Sequence, residues 1–88
     1  MYRIKQYTYD KAKELGVQVY PSKKKHKKID VYKDNNYLAS IGDNRFKDYP
    51  TYLEEDKNLA EKKKLLYRKR HQKDLNYLKG SLAYHLLW

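Results

Sequence analysis

Two alternating segments around Asp34-Asn35-Asn36 constrain the fold of this chain more than any other feature. Residues 29–33 and 37–41 both place apolar side chains at every second position, which is the period of a half-buried β-strand. Two such segments separated by a short polar stretch predict an antiparallel hairpin over about residues 28–42. This hairpin gives the chain a sheet against which the remaining segments have to pack.

The length of the hairpin loop decides which side chains face the core. With a three-residue loop, the apolar side chains share one face through the pairs Lys33–Tyr37, Val31–Ala39 and Ile29–Ile41. A two-residue loop would set Val31 opposite Ser40 and scatter the apolar set. We therefore expect the three-residue loop, with Asn36 in the left-handed region that asparagine tolerates.

The first part of the chain predicts a short helix and a third strand. Thr8 is expected to cap a helix that opens with Tyr9-Asp10 and ends at Gly16. The alternating run at residues 17–20 predicts a strand, which Pro21 stops.

The second half of the chain has the signals of helices. Capping patterns at residues 51–54 and 58–61 favour helix starts, and the helix from about Leu59 to Lys73 is expected to be the longest element. A last segment, interrupted by Gly80, spaces leucines three and four residues apart, at Leu75, Leu78, Leu82 and Leu86. Its apolar end, Leu86-Leu87-Trp88, is expected to pack back on the sheet.

The predicted fold class is α+β, in which a small antiparallel sheet packs with C-terminal helices. The sheet consists of the hairpin at about 28–42 and the strand at about 17–20. With 88 residues, the chain is expected to form a single small basic domain over residues 1–88 that buries only ~60% of its unfolded surface.

The apolar inventory is small and rich in tyrosine. Ile, Leu and Val supply 17 residues, and 11 tyrosines stand beside one Phe and one Trp. We expect most tyrosines to be half-buried at the edge of the core, and the others to form surface platforms that could stack on bases. Cysteine is absent, and no apolar run approaches a membrane span or a signal peptide, so we expect no disulfides, no membrane partner and no secretion.

The net charge of +10 comes from two local concentrations. Residues 23–28 contribute +5, and residues 57–73 contribute +7 from eight basic residues and one acid. The remaining residues therefore sum to −2. A charge this large repels itself in the free protein, which favours a polyanionic partner.

The first concentration is a predicted loop that holds five lysines: Lys23, Lys24, Lys25, Lys27 and Lys28. Asp30 is the only acid nearby in sequence, so the loop is not expected to pair its charges internally. It could contact the phosphates of a nucleic acid, act as a nuclear-localisation signal, or be a solvated loop without a partner.

The second concentration lies on the predicted helix from Leu59 to Lys73. A helical projection puts Leu59, Ala60, Leu66 and Tyr67 in one apolar sector, into which Lys63 and Arg70 also fall. The expected nucleic-acid contacts of this segment are Lys62, Lys64, Tyr67, Arg68, Lys69, Arg70 and Lys73, because guanidinium and ammonium donors suit phosphates. A solvated basic face and an acidic protein partner are the alternatives.

The turn at residues 43–52 is dense in aromatic and charged side chains. It could be a recognition loop, but we favour a structural role in which Asp48 and Thr51 satisfy backbone donors of the following helix. No catalytic arrangement is visible: the three histidines have no metal-ligand spacing, and no glycine-rich phosphate loop occurs. We therefore expect no enzymatic activity, no cofactor and no metal.

Five strings in the sequence resemble a known family of small basic proteins encoded by giant nucleocytoplasmic DNA viruses. They are residues 28–33, 39–43, 48–53, 66–74 and 86–88. The resemblance covers most of residues 28–88, and Asp-Tyr-Pro-Thr-Tyr and Tyr-Arg-Lys-Arg-His are its more specific parts. It implies a viral protein in the infected host cell (viral factory or nucleus) or in the virion. It implies no activity and no functional residues.

These observations together predict a non-enzymatic nucleic-acid-binding protein that contacts mainly phosphates. Double-stranded DNA is the first expected partner and RNA the second, with an architectural, packaging or regulatory role in a viral context. One alternative is a minor structural virion protein of the capsid or cement type. The other is an adaptor that binds an acidic protein partner.

Overall fold

An antiparallel sheet of three strands forms the centre of the fold, in the order β1–β2–β3. The strands are β1 (Gln18–Pro21), β2 (Lys27–Lys33) and β3 (Asn36–Asp43). The computed structural model describes residues 2–88. The predicted hairpin and third strand are thus confirmed, and Pro21 ends an edge strand, where its missing N–H costs no ladder hydrogen bond.

Four α-helices complete the predicted α+β fold. They are α1 (Gln6–Leu15), α2 (Tyr49–Glu55), α3 (Lys57–Arg70) and α4 (Leu78–Leu87), with a 3-10 helix at Gln72–Asn76 between α3 and α4. The helix expected from Leu59 to Lys73 is indeed the longest element.

The hairpin loop differs from the prediction. The turn has two residues, Asp34 and Asn35, both in the left-handed region with φ of 50° and 67°, and Asn36 pairs with Lys33. Two left-handed residues match the twist of the strands they join. A register shift at Leu38 then inserts one extra residue into β3. This bulge restores the predicted pairs Val31–Ala39 and Ile29–Ile41, so the apolar face forms despite the shorter loop.

The core lies between the sheet and helices α1 and α4. Its most buried side chains are Ile29, Val31 and Ile41 from the strands and Leu86 and Leu87 from α4. The apolar end of the chain therefore packs back on the sheet, as predicted. Upstream in the same apolar segment, Leu75 and Leu78 are exposed, since the 3-10 helix and the start of α4 lie outside the core.

Three predicted helix starts are wrong. Helix α1 begins at Gln6, and Thr8 lies inside it with its hydroxyl donating to the Leu86 carbonyl oxygen at 2.9 Å. Asp48 and Asp56 cap α2 and α3, where Thr51 and Asn58 were expected to do so. Asp48 lies three residues before Thr51, and Asp56 lies two residues before Asn58. Each aspartate accepts a hydrogen bond from a backbone N–H of the helix that follows it. The predicted end of α1 at Gly16 is confirmed, with φ of 72°.

A buried ion pair joins the sheet to the start of α2. Lys28 Nζ donates to Asp48 Oδ2 at 2.7 Å, and both side chains are almost fully buried. Tyr2 Oη donates to the same oxygen at 2.6 Å, and Thr51 donates to the other oxygen from its backbone and its hydroxyl. Each oxygen of Asp48 thus accepts two hydrogen bonds, which is the kind of compensation that a buried charge requires.

Burial raises the pKa of the Asp48 carboxyl, but the attraction of the Lys28 ammonium and the hydrogen bonds from Lys28, Tyr2 and Thr51 outweigh it. The pKa of Asp48 therefore lies below its ordinary value. Asp48 remains ionised in the folded protein over the whole neutral and mildly acidic range.

Replacing Asp48 by Asn should lower the free energy of unfolding by about 3–5 kcal/mol, because it leaves the Lys28 ammonium buried without a counterion. Urea unfolding at neutral pH measures the change. Asp56→Asn is the matched control, because Asp56 caps an exposed helix start and Asn caps equally well. Equal losses in both variants would contradict the importance of the buried pair.

The contribution of Asp48 should also depend on pH. A carboxyl whose pKa is lower in the folded state stabilises the fold above its unfolded pKa of about 3.9 and loses that contribution as pH falls. The difference in unfolding free energy between the native protein and Asp48→Asn should therefore shrink progressively below about pH 4. A difference that stays constant down to about pH 2 would contradict the assigned ionisation.

Candidate nucleic-acid interface

The packed face of α3 matches the predicted sector only in part: Ala60, Lys63 and Tyr67 are buried or half-buried, but Arg70 is exposed. Ala60 is its buried residue, whereas Leu59 and Leu66, expected in the packed sector, are 37% and 46% exposed, and Leu65 is 71% exposed. The packed face consists of Ala60 with the partly buried Lys63, Lys64, Tyr67 and Arg68. Long stems and an aromatic ring fill this contact in place of leucines.

Four of the predicted contact residues lie on the surface without a counterion. Lys62, Lys69, Arg70 and Lys73 are exposed, and within residues 2–88 they form no ion pair. Lys62, Lys69 and Arg70 belong to α3, and Lys73 lies in the 3-10 helix. These cations are free to contact an external anion.

Three other predicted residues of this segment serve the packing of the protein itself. Arg68 Nη2 donates to the Trp88 carbonyl oxygen at 3.1 Å, and its guanidinium lies over the Tyr84 ring at 4.8 Å. The Lys64 ammonium lies 4.5 Å from the centre of the Tyr49 ring, and burial together with Arg68 lowers the pKa of Lys64. Tyr67 stacks on Trp88, with ring centres 4.3 Å apart and an angle of 7° between the planes.

The predicted lysine loop also contains both exposed lysines and lysines that are engaged within the protein. Lys23, Lys24 and Lys25 are exposed, although Lys24 Nζ donates to Tyr37 Oη at 2.6 Å. Lys27 and Lys28 belong to β2, so the predicted loop is shorter than expected. Lys28 is buried against Asp48, an acid twenty residues away, which corrects the expectation that no acid could pair with the loop.

Lys27 is only partly available for contact with an external anion. It is half-buried, and its close approach to Lys79 at the start of α4, together with partial burial, lowers the pKa of Lys27. Helix α3 packs chiefly against α2 and the 3-10 helix, whereas the lysine loop leads into the sheet. The two basic concentrations of the sequence therefore belong to different elements of the fold.

A groove between the β3–α2 turn, α3 and the end of α4 was not predicted. Its volume is about 540 Å³, within the ~300–1,000 Å³ range of small-ligand sites. Its lining is rich in aromatic rings: Phe46, Tyr52, Tyr67, His71 and Trp88. Tyr67 makes stacked contacts with both Trp88 and His71, at 4.3 Å and 4.2 Å between ring centres.

Cationic side chains border the same groove. Arg70 and Lys63 of α3 line it, and neither is engaged in an ion pair in the described part of the chain. Lys47 also lines it but donates to Glu55 at 2.8 Å. Asp43 is the acid that faces the groove, and Arg45 holds both of its carboxylate oxygens at 2.9 Å and 2.7 Å. The border of the groove therefore carries a net positive charge.

One signal for this groove was present in the sequence. The turn at residues 43–52 stood out for its aromatic residues, and its Phe46 is 69% exposed at the groove. Asp48 has the structural role expected of it in that turn, since it accepts the backbone N–H of Thr51, whereas the Thr51 hydroxyl donates to Asp48 and satisfies no backbone donor. The convergence of the turn with Tyr67 and Trp88 depends on tertiary packing, which no local pattern encodes.

The tyrosines divide much as expected. Tyr49 is buried, Tyr9, Tyr20, Tyr37 and Tyr77 are exposed, and the other six are half-buried. Tyr20, Tyr32 and Tyr37 form a row across the three strands, with ring centres 5.5 Å and 5.6 Å apart in edge-to-face contact. The Lys24 ammonium lies 4.4 Å from the centre of the Tyr37 ring, so one end of this row is already in contact with a cation.

Comparisons with protein families, with curated proteins and with solved structures gave no match. Within residues 2–88, no helix has the length and apolar character needed to cross a membrane. Over the same residues, His, Asp and Glu side chains form no group of three that could hold a metal ion.

Replacing Arg68 by Ala should lower the free energy of unfolding by about 1.5–3 kcal/mol, because the Trp88 carbonyl loses a charged donor. Lys69→Ala removes the same charge from the exposed face of the same helix and should change stability by less than about 0.5 kcal/mol. Urea unfolding of both variants measures the contrast. Equal, small effects would mean that Arg68 is a surface cation like Lys69.

Proposed function

We propose that this protein is a non-enzymatic nucleic-acid-binding protein that contacts phosphates through α3 and the neighbouring aromatic groove. The observation that carries the proposal is a set of surface cations that have no counterion within residues 2–88: Lys62, Lys69, Arg70 and Lys73. The like charges of these side chains repel one another, and a bound polyanion removes that cost.

The chemistry of these side chains supports a phosphate backbone as the partner. Each lysine that neutralises a phosphate releases condensed counterions, and the arginine adds forked donors that match phosphate oxygens. Arg68, Lys64 and Lys28 are left out of the proposed contact surface, because their charges are engaged within the protein. The exposed lysines 23–25 supply an additional flank. Double-stranded DNA is the first partner to test and RNA the second.

The proposed setting is viral and rests on the resemblance of the sequence strings. A large genome needs basic proteins to neutralise its packaged phosphates, and a net charge of +10 on 88 residues is consistent with such a role. The infected host cell and the virion are both compatible with it.

A second candidate function is supported by the exposed leucines of α3. Leu59, Leu65 and Leu66 are 37%, 71% and 46% exposed beside Lys62 and Lys69. A helix face that alternates leucine with lysine fits an acidic protein surface with apolar patches. This favours the adaptor or the virion component as the alternative to nucleic acid.

A salt titration of duplex DNA tests the proposed function. The plot of log affinity against log salt should be steep, and Lys62→Gln with Lys69→Gln should reduce its slope by about 1.8, since each phosphate contact contributes about 0.9. Lys13→Gln with Lys33→Gln is the matched control, because it removes the same charge from exposed positions on α1 and at the end of β2.

Three results of this titration would be decisive. Absence of binding to DNA and RNA at low salt would refute the proposal. Equal slopes for the two double variants would mean that α3 is not the contact surface. Binding to poly-glutamate as tight as binding to DNA, at matched charge and salt, would favour the acidic protein partner.

A further inference from the structure

We infer that the aromatic groove binds one unpaired nucleotide of a nucleic-acid strand, with the base against the rings and its phosphate against Arg70 and Lys63. The inference rests on the proposed function and deepens it, because it distinguishes a single strand from a duplex. The groove combines what such a ligand requires, namely a concave site of about 540 Å³, aromatic faces and a cationic border.

The base is matched by the aromatic rings that line the groove. Phe46 is 69% exposed on the turn between β3 and α2, although burial of a phenylalanine is strongly favourable. Trp88 is partly exposed and is held by its stacked contact with Tyr67, so its orientation is fixed before a ligand arrives. A flat heterocycle that enters beside Phe46 covers this exposed apolar surface and gains stacking energy at little ordering cost.

The phosphate is matched by the free cations of α3. Arg70 and Lys63 line the groove without carboxylate partners among the described residues, whereas Lys47 is engaged by Glu55. Arg45 neutralises Asp43, which would otherwise repel an anion from this border. An acidic side chain would satisfy the cations as well, but it would leave the aromatic rings uncovered.

A nucleotide that binds in the groove has to be unpaired. A base in the middle of a duplex stacks above and below and pairs at its edge, so it cannot reach rings inside a groove unless it is extruded. Single strands offer their bases without that cost. The groove therefore predicts tighter binding to a single strand than to a duplex of the same phosphate number.

The fluorescence of Trp88, the single tryptophan, reports on the groove directly. The probes are an oligothymidylate of about ten nucleotides and an abasic oligomer of the same length, chosen within the ~4–16 nucleotides that small stacking sites cover. The oligothymidylate should quench Trp88 and bind about tenfold more tightly than the abasic strand. Phe46→Ala should lower the affinity for the oligothymidylate about tenfold and leave the abasic strand unaffected.

Tyr77→Ala is the matched control, because Tyr77 is 70% exposed and does not line the groove. It should bind both strands like the native protein. Urea unfolding checks that Phe46→Ala is folded, which its exposure leads us to expect.

The outcomes separate this inference from the proposed function. Equal affinity for the two strands, or no effect of Phe46→Ala, would overturn the base site while phosphate binding could still be present. Binding of free thymidine monophosphate as tight as that of the oligomer would overturn the assignment to a strand. If the native protein binds none of the strands, including duplex and abasic DNA, nucleic-acid binding is refuted altogether.

Discussion

The buried contact between Lys28 and Asp48 holds the candidate site of this molecule in place. It connects the central strand to the start of α2, and Asp48 also accepts hydrogen bonds from Tyr2 and from the first turn of α2. One carboxylate thus joins the N-terminal segment, the sheet and a helix start. Because α2 packs against α3, the position of the basic helix relative to the sheet depends on this one group. The turn that carries Phe46 ends at the same residue, so the mouth of the groove is fixed there too.

Local patterns in the sequence were sufficient for the sheet but not for the contacts between distant segments. The alternation at residues 29–33 and 37–41 determined the apolar pairs, and the structure keeps them through a bulge although the turn is shorter than predicted. The helix starts were misassigned because Asp48 and Asp56 lie outside the patterns that suggested Thr51 and Asn58. Thr8 was read as a cap, whereas its partner is a carbonyl seventy-eight residues later, which no local pattern can indicate.

The same limit explains why only some of the predicted contact residues are available to a ligand. A helical projection places Leu59 and Leu66 in the packed sector of α3 and Arg68 outside it, whereas the helix leaves both leucines exposed and packs Arg68 against Trp88. In a small domain the core is soon filled, here largely by the sheet and α4, and the remaining helix packs with long amphipathic side chains. Charge counted along the sequence therefore overstates the number of cations that a ligand can reach.

The bulge at Leu38 affects more than the register between β2 and β3. Strand β3 lies at the edge of the sheet, where its outer backbone groups lack a neighbouring strand. A regular edge of eight residues would be a template on which a second chain could extend the sheet. An inserted residue bends and twists that edge, so that an incoming strand cannot follow it in continuous register. The inserted residue that restores the apolar pairs of the hairpin thus also protects this edge from pairing with a second copy of the chain.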